Sequence, residues 1–182
     1  MKIWKLDFEL EEYENLIPKK SFTFEEIISF DGRKHLENWK PLSVKRMEPE
    51  KGLELGDAPG FTLMPVLSER AVNCLLPLIR ENVEILSLGF DEGEYFGVNT
   101  ITVLEALDYG KSEYRTFRDG KRIMVIEEYV FIAEKVKDVP IFKIVDEKER
   151  RGFVSDEFKR IVEENELKGF KFELAWDSEC GQ

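Results

Sequence analysis

A chain of 182 residues that is 42% hydrophobic and 12% aromatic, with 14 Phe, has enough apolar mass for a packed core, which excludes a disordered chain. Charged residues reach 36% with a net charge of −11, which argues against nucleic-acid backbones and anionic membranes as direct partners and favours a cationic partner or simple solubility. No apolar run approaches a membrane span, the start MKIWKLDFELEEYE lacks a signal-peptide core, and the two cysteines, Cys74 and Cys180, build no disulfide framework, so a reducing cytoplasm is expected.

Ile3 to Leu10 alternates as an opening strand, followed by a polar turn ending in Pro18. Phe22, Phe24, Ile27, Ile28 and Phe30 form an apolar segment compatible with helix or strand, and Asp31-Gly32 is a tight-turn signal. Leu42 to Met47 reads as another strand. Glu48 to Gly60, with two Pro and three Gly, reads as a long loop or as the boundary between an N-terminal segment, 1–50, and a main domain, 51–182.

Val66 to Leu88 then reads as strand, helix and strand. Ser68 caps the helix by accepting a first-turn N–H, and Pro77 is expected to end or kink it. Tyr95 to Val103 is an inner strand rich in β-branched and aromatic residues, and Leu104 to Leu107 a short helical turn. Tyr114 to Phe117 and Arg122 to Ile126 flank Asp119-Gly120, the signature of a hairpin. Tyr129 to Ile132 either continues that hairpin or starts a new strand, and Pro140 precedes the short strand IFKIV.

The closing stretch, Phe153 to Trp176, is the best specified. Ser155 caps a helix with Asp156 and Glu157 at its positive end, and Phe158, Ile161 and Val162 line one face. Asn165 or Gly169 is placed to close the helix in the left-handed conformation. Phe170, Phe172, Leu174 and Trp176 then alternate with polar or small residues as a half-buried strand. A shift of 87 residues superimposes Ser68 on Ser155, Val83 on Phe170 and Ile85 on Phe172, so 66–88 and 153–176 form a possible strand–helix–strand pseudo-repeat. Neither copy has the Glu or Gln of a full capping box. Many short strands with two or three helices indicate an α+β fold, a mainly antiparallel sheet with helices packed on it.

The chain offers no catalytic constellation. A single histidine, His35, rules out a site of several imidazoles and reads as a surface residue beside a turn. Cys74 reads as a buried thiol on a helix face and Cys180 as a tail thiol. Nucleophile-elbow, phosphate-loop, dinucleotide-binding and CxxC motifs are absent, and helix capping accounts for Ser68 and Ser155. Carboxylate pairs for hydrolysis arise freely by chance among 38 Asp and Glu, so a hydrolase using paired carboxylates or His35 stands only as the third-ranked alternative. No catalytic residue, metal site or cofactor is assigned.

One charge feature is local. From Glu81 to Gly110 seven acids (Glu81, Glu84, Asp91, Glu92, Glu94, Glu105 and Asp108) occur without a Lys or Arg. Such a run is either a solvated face or a docking face for a basic partner, with Trp39, Tyr95 and Tyr109 as possible aromatic anchors. The candidate partner-binding residues are Glu84, Asp91, Glu92, Glu94, Asp108, Tyr95 and Tyr109.

The phrases GDAPGF, PVLSERAV, ENVEILSL, YFGVNTITVLEALD, SEYRTF and IFKIV, closing with VSDEFKRIVEENELKGFKFELAW, resemble a bacterial family of immunity proteins of polymorphic toxin systems, the myxobacterial-type immunity domain. The resemblance spans Leu42 to Trp176. It implies a non-catalytic cytoplasmic protein, without cofactor, that binds and neutralises a cognate toxin domain. It carries over no binding residue. The alternative is a ligand-binding or regulatory module unrelated to toxins. Neither reading sets the oligomeric state.

Overall fold

The computed structural model describes residues 1–21, 30–62, 64–150 and 152–179. The Phe22–Ile28 part of the first ambiguous apolar segment and Cys180 lie outside them. Twelve strands and three α-helices are present among the described residues, an α+β fold. The strands are β1 (Lys2–Phe8), β2 (Leu16–Pro18), β3 (Leu42–Arg46), β4 (Val66–Ser68), β5 (Val83–Gly89), β6 (Tyr95–Thr100), β7 (Val103–Leu104), β8 (Glu113–Thr116), β9 (Ile123–Glu128), β10 (Ile141–Ile144), β11 (Phe153–Ser155) and β12 (Phe170–Asp177). The helices are α1 (Glu69–Ile79), α2 (Ala133–Val136) and α3 (Asp156–Glu164).

Two five-stranded sheets run in the orders β12-β1-β11-β10-β7 and β2-β3-β5-β6-β4, and β8-β9 forms a separate hairpin. Pairing is antiparallel except β10 with β7 and β3 with β5. Residues 1–50 supply strands to both sheets: β1 to one, β2 and β3 to the other.

The 87-residue shift holds in three dimensions. Val66–Ser68 falls on Phe153–Ser155, and both serines cap, Ser68 Oγ accepting from Ala71 N–H at 3.1 Å and Ser155 Oγ from Phe158 N–H at 3.3 Å. In each unit the two strands flank a third that runs antiparallel to both, which is β6 in the first and β1 in the second. The registers also correspond. Val98 lies opposite Ile85, and Leu6 opposite Phe172; Thr100 lies opposite Val83, and Phe8 opposite Phe170. Val98 N–H donates to the Pro65 carbonyl, and Leu6 N–H to the matching Gly152 carbonyl, at 2.8 and 3.2 Å.

Both helices and one face of each sheet share a central core that contains Ala71, Leu75 and Ile79 of α1, Phe158 and Val162 of α3, and Leu6, Leu67, Val98 and Val154 from the strands. Alternation along the short strands sends their neighbours the other way. Phe153 faces a second core with Phe131, Phe142 and Trp176, and Val66 a third with Leu16, Val44 and Leu86. Cys74 is half-buried at the margin of the central core rather than inside it.

Other local expectations change. α1 runs through Pro77 to Ile79; this proline is exposed near the last turn, and the ladder resumes with Arg80 N–H to the Leu76 carbonyl at 3.0 Å. Leu104–Leu107 is not a helical turn. After Thr100 the chain leaves its sheet, β7 pairs with β10 in the other sheet, and Leu107 bridges Phe131, which begins a new pairing after β9 ends.

The helix α3 is closed by Glu166 (φ 50°) in the left-handed conformation, while Asn165 has φ −94°. Glu166 N–H reaches the Glu163 carbonyl and Leu167 N–H the Val162 carbonyl, a Schellman closure that buries Leu167 against Val162. Gly169 (φ +91°) turns the chain into β12, and a side chain there would strike the Ala58 backbone. The Asp119-Gly120 hairpin forms as expected, with Gly120 at φ +66°.

Candidate functional site

The acidic segment divides between the strands β5 and β6 and the turns outside them. Glu84 points inward and is only 8% exposed. Its carboxylate accepts the His35 N–H at 2.6 Å and the Asn99 amide at 3.0 Å. Burial opposes its charge, but these donors and the Leu36 N–H outweigh it and keep its pKa below the ordinary glutamate value. Glu84 therefore fastens the loop after Phe30 to β5. His35 is half-buried, its ring 4.8 Å from that of Phe30, so it sits in this junction rather than free on the surface.

Tyr95 is also buried. Its hydroxyl donates to the Gly56 carbonyl at 3.0 Å, and burial raises its pKa. Trp39 donates its indole N–H to the Ser87 carbonyl, fixing the same loop to β5. These residues shape the framework beneath the surface.

Asp91, Glu92 and Glu94 are exposed on the turn between β5 and β6. Lys19 meets Asp91 and Arg46 meets Glu92, both at 2.8 Å, so β3 and the residue after β2 already supply cations to this turn. Asp108 and Tyr109 lie past the opposite end of β6, a strand whose six residues span about 20 Å at ~3.3 Å each. Asp108 accepts the Gly110 N–H at 3.1 Å, and exposed Tyr109 donates to Asp146 at 3.0 Å. Burial and that carboxylate push the Tyr109 hydroxyl up to about 12. The candidate residues thus fall into three sets: Asp91, Glu92 and Glu94 exposed on one turn, Asp108 and Tyr109 beyond β7, and Glu84 and Tyr95 buried in β5 and β6.

Two features escape the sequence reading. Lys143 is 5% exposed, and its amine donates to the Phe30 and Lys148 carbonyls. Burial pushes its pKa down to about 8 against the pull of Asp31 and Glu149. The signal is one lysine inside the apolar run IFKIV. Asp31, held near 2 by the Arg33 guanidinium, also pairs with Lys148 at 3.4 Å. The second is the tip of the β8–β9 hairpin, where Arg115, Arg118, Lys121 and Arg122 stand against Asp119 alone.

Among the described residues no group of three His, Cys, Asp or Glu is placed to hold a metal ion, and no helix is long and apolar enough to cross a membrane. The site geometry is that of exposed charged turns on a rigid framework.

Comparison with protein families supplies the identity. Residues 83–177, just over half of the chain, match the model of the immunity protein family Imm11. The chain belongs to the Imm11 immunity protein family. No curated protein matches it. The Imm11 match starts at β5 and ends at β12. It contains the β8–β9 hairpin and the whole β11–α3–β12 unit, and it omits β1, which the same sheet requires between β11 and β12.

Proposed function

We propose that this chain is a non-catalytic cytoplasmic protein that binds and neutralises a cognate toxin domain. The observation that carries this reading is membership of the Imm11 family over residues 83–177. Asp91, Glu92 and Glu94 supply a negative turn for a basic region of the toxin, with Asp108 and Tyr109 as a second, separate contact. Glu84 and Tyr95 serve that surface from inside by fixing the strands that bear it. Exposed charges of this kind raise the rate of encounter and select the partner.

The test is rescue. The adjacent reading frame, as the candidate source of the toxin domain, is expressed alone and together with this chain, and surviving cells are counted. Relief of toxicity is the expected result. A toxic neighbour that this chain does not restrain overturns the reading in favour of a ligand-binding or regulatory module. Reversal of the turn, Asp91→Lys with Glu92→Lys and Glu94→Lys, is expected to lower toxin affinity at least tenfold, with a loss that shrinks as salt is raised.

A further inference from the structure

We infer that the tip of the β8–β9 hairpin is a second docking element, one that inserts into an acidic, partly apolar recess of the toxin domain. The inference rests on the immunity reading above and names the chemistry of its partner. In a chain of net charge −11, residues 115–124 hold four cations and one acid. The acids of the hairpin stand at its base, Glu113, Glu127 and Glu128, so its polarity runs from a negative root to a positive end.

Two of the cations are neutralised inside the hairpin. Arg115 meets Glu127 and Arg122 meets Asp119, each at 2.7 Å. Arg118 and Lys121 have no ion pair among the described residues, so their charge is available to a partner. Phe117, immediately before Arg118, is 45% exposed with the Arg122 guanidinium 5.1 Å from its ring centre, and Met124, which lines the same depression, is 42% exposed. Thr116, Phe117, Arg118, Asp119, Arg122 and Met124 line a depression of about 660 Å³.

The tip is also mounted for presentation. Tyr114 and Ile123 pack against the second core, where Ile126 is buried, and Ser112 and Val130 exchange hydrogen bonds at 3.0 and 3.2 Å across the base. Beyond that anchored root the strands join neither large sheet. Asp119 accepts the Lys121 and Arg122 N–H groups, which shapes the turn without a partner. Phe, Met and Arg are enriched at protein interfaces, and a rooted, preorganised hairpin presents them at a lower ordering cost.

A protein recess fits this tip better than the polyanions that cations otherwise suggest. A duplex or an anionic bilayer presents a large negative field to the whole chain, whose net charge of −11 is repelled, whereas an acidic recess engages only the tip. Phe117 and Met124 supply the apolar contact such a recess completes.

The experiment uses the full chain and the toxin domain from the adjacent frame. Affinity is measured by calorimetry, and rescue by survival, for the wild type and for two variants, Arg118→Glu with Lys121→Glu, and Phe117→Ala. Near-ultraviolet circular dichroism and thermal melting establish that each variant is folded; all three side chains are exposed, so both are expected to melt within a few degrees of the wild type. The proposal expects the wild type to bind, the charge reversal to lose at least a hundredfold in affinity, and Phe117→Ala at least tenfold. A wild type that binds, with both variants binding equally well, overturns the hairpin proposal and leaves the immunity reading intact. A wild type that neither binds nor rescues overturns the immunity reading itself. Tip-dependent binding of the wild type to phosphatidylglycerol vesicles or duplex RNA, without tip-dependent binding to the toxin, assigns the hairpin to a polyanion and overturns the protein recess.

Discussion

The two strand–helix–strand units, β4–α1–β5 and β11–α3–β12, have the same caps, pairing register and inward-facing positions, yet they complete their sheets differently. The first takes its middle strand from the next segment of chain, since β6 follows β5 through the Asp91–Glu94 turn. The second takes β1 from the far end of the sequence. Their helices divide the interior unequally too. Ala71 in α1 corresponds to Phe158 in α3, whose ring meets those of Phe170 and Phe172 at 6.2 and 6.4 Å. A geometry can therefore recur while residue identity drifts, provided the cap and the buried positions keep their chemical class. It follows that the middle strand is specified by the slot between its neighbours, wherever in the sequence it originates.

The second sheet also extends past β11 to β10, whereas β4 is an edge, and β10 carries Lys143. This asymmetry predicts the largest effect. The unfolded amine titrates near 10.5 and the folded one at about 8, so the folded chain gives up the proton first. Stability is then lowest below pH 8, where the buried charge is fully present, and rises as pH climbs from 8 toward 10.5 by on the order of 3 kcal/mol. Tyr129, raised by burial and by its bond to Glu147, and Tyr109 oppose that trend above pH 10. Denaturant unfolding between pH 7.5 and 10 reads the slope, and Lys143→Met is expected to flatten it.

The caps give the next effect. Ser68 both accepts from α1 and donates to Asp57 at 2.7 Å, and Asp57 in turn accepts from Arg70 and the Lys168 N–H, tying the first unit to the loop that closes α3. Among the described residues the Ser155 hydroxyl makes its cap bond and no second one. Ser155→Ala should cost about 1 kcal/mol and Ser68→Ala about 2, measured as midpoint shifts in urea. Equal costs would make the two units energetically alike. The smallest effect is a gain: Glu166→Gly relieves a non-glycine residue at φ 50° and should raise stability by about 0.5–1 kcal/mol, since Gly169 alone serves the turn that follows.

Much of this was legible in the sequence because local chemistry decides it. Serine before an acidic, apolar-periodic run marks a helix start, Asp119-Gly120 marks a hairpin, and the 87-residue shift already aligned the two units. Other readings changed where the surrounding structure decides. Leu104–Leu107 is drawn into pairing by β10 and Phe131, His35 is drawn into the junction with Glu84 and Phe30, and Cys74 lies at the margin of the central core. α1 ends at Ile79 rather than at Pro77, and the left-handed position falls on Glu166, where the Leu167 N–H reaches the Val162 carbonyl. The candidate site was legible as composition and illegible as geometry. Glu84 and Tyr95 lie within β5 and β6 and are buried, Asp91, Glu92 and Glu94 lie on the turn between them and are exposed, and the cations that meet that turn, Lys19 and Arg46, come from distant parts of the chain. The hairpin was visible as a turn, while its unpaired Arg118 and Lys121 emerge only after Asp119 and Glu127 have taken their partners.

The position of β1 between β11 and β12 sets a timetable for synthesis. β1 is made before both its neighbours, which do not exist until residues 153–177 have been made. Meanwhile β3 to β6 can assemble their sheet from contiguous chain. Until then, Ile3, Leu6 and Phe8 belong to a strand without its partners, a state that invites association with other nascent chains. Slow, late closure of this sheet follows from its long-range pairing. A ribosome-bound chain halted after β10 should present β1 to a chaperone or protease, and one extended beyond β12 should conceal it.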